Sequence, residues 1–359
     1  MKVVLLTLDF PPDVGGVQRY LYEIARRLPR DYDLTVVTPV EGEDADVPFR
    51  RLVLPPQRLD LWLKAVRGLR PQWVLVGHAH PRLLLVAALT APRYLVFTYG
   101  NDFLAAQSRW HRPLFNALLR RATYAVALSQ AGAARLRDLG LSRIHIVYPG
   151  TDPERFTPPP QPPPPPWTLL SVGRLVPRKG MDTVIRALPR LPGVRYRIAG
   201  TGPDEARLRA LAEDMRVADR VDFLGRVPEA RLPQVYREAH LFVLPTREEA
   251  GGRSVEGFGI VYLEAAASAL PLVVSHAAGV AEHLRRHDIG RIVPPDAPDI
   301  LAQTVDHLLG DAALRRRLGR AARAWVEREM RWEHAAARVA ALLSGDGTPS
   351  PQTFAIGGR

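Results

Sequence analysis

Apolar runs alternate with amphipathic stretches along the first part of the chain. KVVLLTL, from Lys2, precedes GVQRYLYEIARRL, in which Val17, Tyr20, Ile24 and Leu28 share one side of a helix. DLTVVTP, WVLVGHAH, RYLVFTYG, YAVALS and RIHIVYPG follow, with helical patterns between them. β-branched runs separated by helices predict a parallel sheet with crossover helices. The stretch Thr157–Trp167, TPPPQPPPPPW, breaks this rhythm. Residues 158–166 hold eight prolines in nine positions, which form neither helix nor ladder and act as a semi-rigid spacer.

Beyond the spacer the alternation resumes in TLLSVGRL, VRYRIAG, RVDFLGRV, HLFVLPT and LPLVVS, with helices expected from about Asp182, from about Pro203 and after GFGI. The predicted fold is α/β, with two doubly wound parallel-sheet domains: 1–157, the linker 158–166, and 167–330. RAWVEREMRWEHAAARVAALL reads as helical, and its part from 331 to 345 is expected to pack back on the first domain. Residues 346–359 read as a disordered tail. Ligands of open parallel sheets sit at the carboxyl ends of the strands. Two facing domains would therefore hold a donor and an acceptor in one cleft.

Composition narrows the classes. The 359 residues are 47% hydrophobic and 24% charged, as in a soluble globular protein. The absence of cysteine excludes disulfides, thiolate metal sites and a cysteine nucleophile. No apolar run reaches the ~18 residues of a membrane span. The opening MKVVLLTLDFPP reads as a buried strand and not a signal peptide, so a cytoplasmic location is expected. The net charge of +12 calls for an anionic partner. Residues 1–156 carry 21 basic against 14 acidic side chains, so the excess is denser in the first half.

Three stretches carry candidate chemistry. In GRLVPRKG, Gly173–Gly180, Arg174 and Lys179 flank a turn between a strand and a helix. Lysine is rare here: only Lys2, Lys64 and Lys179 occur. A fork-shaped guanidinium and a compact ammonium in one such loop suit a diphosphate, against the plainer reading of a solvated loop. In EGFGIVYLEAAAS, Glu256 falls on a glycine loop and Glu264 one turn inside the next helix. That helix start offers free N–H groups to phosphate, and carboxylates suit sugar hydroxyls; two solvated glutamates are the alternative. In DFPPDVGGVQRY, Gly15 and Gly16 let backbone approach a ligand, or form an ordinary strand–helix turn. The dinucleotide fingerprint G-x-G-x-x-G is absent. Asp44-Ala45-Asp46 spells D-x-D but lies in the soft acidic run EGEDAD and reads as a solvated loop.

In this order and on two α/β domains, these stretches resemble the family 4 retaining glycosyltransferases of GT-B fold. REEAGGRSVEGFGIVYLEA, Arg247–Ala265, is most similar to the bacterial phosphatidylinositol-mannoside mannosyltransferase branch. The resemblance implies transfer of a hexose, mannose favoured, from GDP-mannose to a hydroxyl of a glycolipid or glycan, with retention and no metal or other cofactor. It places the donor diphosphate on Arg174 and Lys179, the transferred sugar on Glu256 and the ribose on Glu264. The backbone from Phe258 through Gly259 and Ile260 to Val261 would meet sugar and phosphate, and Gly15 and Gly16 would close on the diphosphate. Tyr99, Asp102 and Gln18 are the candidates for sugar or acceptor. Where many relatives carry histidine, TYGNDF places Tyr99, which puts that histidine's role in doubt. His78 and His80 in GHAHP are divided between ligand contact and structure.

Other donors, UDP-glucose or UDP-N-acetylglucosamine, stay open, as does a sugar-nucleotide epimerase of the same fold. A nucleic-acid binder rests on charge alone, with no motif behind it. RLDLWLKAVRGLRPQW, Arg58–Trp73, and RWHRPLFNALLRR, Arg109–Arg121, mix basic with apolar and aromatic residues. They suit peripheral contact with the anionic inner face of the cell membrane, or form core-facing helices with basic outer faces.

Overall fold

The computed structural model describes residues 1–42, 46–99, 112–248 and 257–345. The first sheet holds seven strands in the order β3-β2-β1-β4-β5-β6-β7. They are β1 Lys2–Leu6, β2 Asp33–Thr38, β3 Phe49–Val53, β4 Trp73–Val76, β5 Tyr94–Thr98, β6 Tyr124–Ala127 and β7 Ile144–Ile146. The second holds six, β10-β9-β8-β11-β12-β13: β8 Trp167–Val172, β9 Val194–Ala199, β10 Val221–Gly225, β11 Leu241–Leu244, β12 Leu272–Ser275 and β13 Gly290–Val293. Every ladder among the described residues is parallel; β1, for instance, pairs Val4 with Thr35 on one side and with Val74 on the other.

Helices cover both faces, which explains the unbroken apolar runs of the central strands. Val3 and Leu5 of β1 pack with Tyr20 and Ile24 of helix α1, Gly16–Ala25, while Val4 and Leu6 pack with Trp62 of helix α2, Leu59–Leu69. The core on the α1 side runs on through Val147, Phe156 and Trp332 into that of the second domain.

The carboxyl-terminal helical stretch is two helices, Ala312–Glu329 and Trp332–Ser344. The break comes where the backbone pairs with another segment: Thr151 N–H donates to the Met330 carbonyl at 2.8 Å, and Thr151 bridges Arg331. The last helix then lies on α1. Arg27 Nε meets Glu333 Oε1 at 2.7 Å, Tyr32 OH donates to the Ala340 carbonyl at 3.4 Å, and the Trp332 ring sits edge-on to Tyr20. The chain thus crosses between domains twice.

Candidate functional site

Each sheet reverses its direction of growth once. In the first sheet β1 is followed outward by β2 on one side and β4 on the other; in the second, β8 has β9 on one side and β11 on the other. A crevice opens beyond the carboxyl ends at such points. The loop after β1 carries Asp9, Gly15 and Gly16. The loop after β4 carries His78 and His80. The loop after β8 is GRLVPRKG, and the loop after β11 leads to the helix Ile260–Ala267.

GRLVPRKG folds tightly. Leu175 N–H donates to the Thr201 carbonyl at 3.0 Å, and Pro177–Lys179 make one 3-10 turn. Gly180 ends that turn in the left-handed region, φ 71°, and a Cβ there would lie 2.1 Å from the Pro245 carbonyl oxygen at the end of β11. Only glycine fits, because backbone cannot yield as a flexible side chain would. Lys179 is 8% exposed, its stem lying along Gly173, while Arg174 is exposed. Arg247 fastens the loop to β11. Its N–H donates to the Arg178 carbonyl at 2.9 Å, its guanidinium bonds to Asp182, and Nη1 meets Asp296 Oδ1 at 2.8 Å. The packing therefore brings the β8 loop and the segment that follows β11 side by side.

Glu264 lies one turn into the helix Ile260–Ala267 and is 1% exposed. Tyr236 OH donates to its Oε2 at 2.7 Å, and Arg19 Nη1 on α1 donates to its Oε1. Burial would lower the pKa of Arg19, but the carboxylates of Glu264, Glu229 and Glu23 outweigh it and hold the guanidinium above its ordinary value. Burial, then the Glu264 charge, pushes the Tyr236 phenol well up, so it stays a donor. Gly259 caps the helix, and Ile260 and Val261 are half-buried at its first turn. The Phe258 ring turns inward onto Tyr148 and His283, at 5.6 and 5.7 Å, leaving backbone as its contribution to the crevice. Glu256 lies outside the described residues.

The loops of the first domain are more open. Gly15 is extended, and at Gly16 a Cβ would meet nothing within 4 Å. Gln18 Nε2 donates to Asp9 Oδ1 at 3.3 Å, and Asp9 N–H donates back to Thr7 Oγ1 at 3.1 Å. His80 caps helix α3, Pro81–Thr90, accepting the Arg82 N–H at Nδ1. His78 is held down to a pKa of about 4, chiefly by burial, with Asp9 opposing and His80 adding; its Nδ1 has no hydrogen-bond partner among the described residues.

Between the domains lies a cavity of about 180 Å³, lined by Tyr99 and Ser129 of the first domain and Gly257, His276, Gly279 and Glu282 of the second. Tyr99 half-buries its ring at 6.1 Å from that of Tyr20. Glu282 accepts from Tyr148 OH at 2.6 Å, and burial raises its pKa although that phenol and the Gln130 N–H oppose the rise. Asp102, like Gly100 before it, lies outside the described residues, as do Asp44 and Ala45.

Tyr236, Arg19, Arg247 and Glu282 escape sequence reasoning. Three belong to amphipathic helices with no local signature, and Arg247 is one arginine among many. Conversely, the described tryptophans of the basic segments are core. Trp62 and Trp73 are 2% and 1% exposed, while Lys64, Arg67 and Arg70 form the outer face. No helix among the described residues is long and apolar enough to cross a membrane.

Comparison with known proteins shows the family. Residues 14–155 match the family described as Glycosyltransferase Family 4, and residues 154–325 match Glycosyl transferases group 1. The chain is 33% identical, over 96% of its length and 98% of the relative's, to the GDP-mannose-dependent alpha-(1-6)-phosphatidylinositol monomannoside mannosyltransferase of Mycobacterium tuberculosis. The GDP-mannose-dependent monoacylated alpha-(1-6)-phosphatidylinositol monomannoside mannosyltransferase of Corynebacterium glutamicum is 29% identical over 96% of this chain and 98% of its own. Among solved structures, Anabaena HepE in complex with UDP superposes with a TM-score of 0.81 at 19% identity, covering 96% of this chain and 100% of that one. Sucrose-phosphate synthase of Thermosynechococcus elongatus does so at 0.79 and 20%, covering 96% and 98%. These two establish the fold.

Proposed function

The chain belongs to the family 4, group 1 glycosyltransferases, and from that premise we propose that it transfers mannose from GDP-mannose to a hydroxyl of an inositol-containing glycolipid, with retention of configuration. The observation that carries the reading is the meeting, at the reversal point of the second sheet, of the Lys179 loop with the segment leading to Glu264. The end-to-end likeness to mannosyltransferases of phosphatidylinositol monomannoside supports this choice of donor and acceptor class.

In this reading Arg174 and Lys179 bind the diphosphate, and the amino end of the Ile260–Ala267 helix adds N–H groups and dipole. The bond from sugar C1 to the diphosphate breaks while the acceptor hydroxyl attacks the same face, and its proton passes to the departing phosphate oxygen. The two cations stabilise the charge that develops on the leaving group, so no metal is needed. Glu256 orients the sugar, Glu264 takes the ribose diol, and Gly15 and Gly16 bring first-domain backbone against the diphosphate. Tyr99 and Gln18 are the candidates for contact with the transferred sugar or the acceptor, and Asp102 is assigned to the same role by resemblance. Contact with an anionic membrane, in this account, is electrostatic and runs through Lys64, Arg67 and Arg70, because Trp62 and Trp73 are core.

A transfer assay tests the reading. GDP-mannose, UDP-glucose and UDP-N-acetylglucosamine, each labelled in the sugar, are incubated with mannosylated phosphatidylinositol and the lipid fraction is counted. Label from GDP-mannose alone, in an α-linked product, supports it. Label from a UDP-sugar overturns the donor, and no label from any donor overturns the activity.

A further inference from the structure

Arg19 lies in the DFPPDVGGVQRY stretch, where the glycines and not the arginine carry the expected chemistry, yet it joins the two halves of the site. It lies on α1, three residues after Gly16, and donates to Glu264, a residue 245 positions away in the other domain. Its side chain is 20% exposed and that of Glu264 only 2%. Arg19 Nη1 also stands 3.9 Å from Glu229 Oε2, which Arg155 holds at 2.7 Å, and the guanidinium lies over the Phe156 ring, 5.9 Å from its centroid. A buried carboxylate without a counter-charge is costly; Arg19 supplies that charge from across the crevice.

The two hydrogen bonds leave acceptor positions unused on the same carboxylate. A carboxylate offers about four acceptor positions on two oxygens. Arg19 takes one on Oε1 and Tyr236 one on Oε2. Two donors, one per oxygen, fix the plane of the group and leave a position on each for the paired hydroxyls of a ribose. Because Arg19 is carried by the helix that starts at the glycine loop, its reach to Glu264 depends on where that loop stands.

We propose that Arg19 is a positioning residue: it braces Glu264 for the donor ribose, so that the ribose seat is complete only when the Gly15–Gly16 loop stands across the cleft. This rests on the reading of the chain as a nucleotide-sugar transferase with Glu264 at the ribose.

The test is a double-mutant cycle read by calorimetry. The affinity of GDP, or of UDP if wild type prefers it, is measured for wild type, Arg19→Ala, Glu264→Ala and the double variant, with inhibition by pyrophosphate as a ribose-free control. Arg19→Ala should weaken the nucleotide roughly tenfold, within the range usual for coupled sites, and leave pyrophosphate unchanged. Arg19→Lys should restore part of the loss. In the Glu264→Ala background, Arg19→Ala should change little. Should Arg19→Ala not fold, the cycle is run with Arg19→Lys and Glu264→Gln. Tighter nucleotide binding to Arg19→Ala would mean that the arginine competes with the ribose, and unchanged binding or additive losses would mean that it does not act through Glu264. Each of these overturns the inference while leaving the transferase reading intact. A wild type that binds no nucleoside diphosphate sinks both.

Discussion

Two glycine-bearing loops, one at the carboxyl edge of each sheet, are glycine for opposite reasons. At Gly180 the fold itself demands it: the backbone is left-handed and the Pro245 carbonyl occupies the place of a Cβ. At Gly16 nothing in the fold demands it, since a Cβ would meet open space. The second-domain loop is thus built by packing, with Lys179 buried inside it and Arg247 fastening it to β11. In the first-domain loop only the flexible Gln18 side chain would meet a Cβ at Gly15, and nothing would meet one at Gly16. In the proposed function, the difference separates a prebuilt anion seat from a surface that comes close to what sits there.

Substitutions can break that contrast. Gly180→Ala should have the largest effect, a destabilisation of about 3 kcal/mol from backbone strain and steric overlap combined, read by chemical denaturation; a loss under 1 kcal/mol would show that the loop can shift. Gly16→Ala should do the reverse. Stability should hold or rise by up to about 1 kcal/mol, while turnover falls on the order of tenfold because the added methyl keeps backbone from the diphosphate. If both stability and turnover were untouched, the close approach assigned to Gly16 would be wrong.

The pH dependence gives a smaller effect. Burial lowers the pKa of His78 to about 4 and that of His283 to about 3. Both are near 6.5 in the unfolded chain. Between those values the unfolded state binds the protons and the native state does not, so stability falls as pH drops from about 6.5 toward 4. The limiting slope is about 1.4 kcal/mol per pH unit for each histidine. His283→Gln should flatten this acid limb in pH-resolved melting; an unchanged limb would place the titration elsewhere. The smallest effect on the molecule itself is expected from Lys64→Glu with Arg67→Glu. These exposed residues should leave melting and nucleotide binding alone, yet each charge removed should cost about 1 kcal/mol of partitioning onto phosphatidylserine vesicles. Equal partitioning would remove the membrane face from the account.

The alternation of apolar runs made the two parallel sheets legible, because central strands buried on both faces leave an unbroken signal. The edge strands β3, FRRLV, and β13, GRIV, were not legible: Arg50, Arg51 and Arg291 interrupt the apolar run where strands meet solvent. The break at Met330 was hidden as well, since it arises from pairing with Thr151 and not from a local breaker. In the site, Lys179 stood out as a rare lysine in an arginine-rich chain. Arg19 did not, for the converse reason, and its meaning comes only with a partner 245 residues away. Glu256 and Asp102, legible as motif residues, fall outside the described residues and remain assigned by resemblance.

The central claim is a nucleoside-diphosphate site built around Lys179, and thermal shift of wild type and Lys179→Ala with GDP, GDP-mannose, UDP and UDP-sugars tests it most directly. A ligand at 100 times its dissociation constant adds about 2.7 kcal/mol of stability. The account predicts that GDP and GDP-mannose raise the melting temperature of wild type and that the rise is lost in Lys179→Ala, each protein being compared with its own ligand-free melting. A Lys179→Ala protein that responds as wild type does, or a wild type indifferent to every nucleotide, would contradict it.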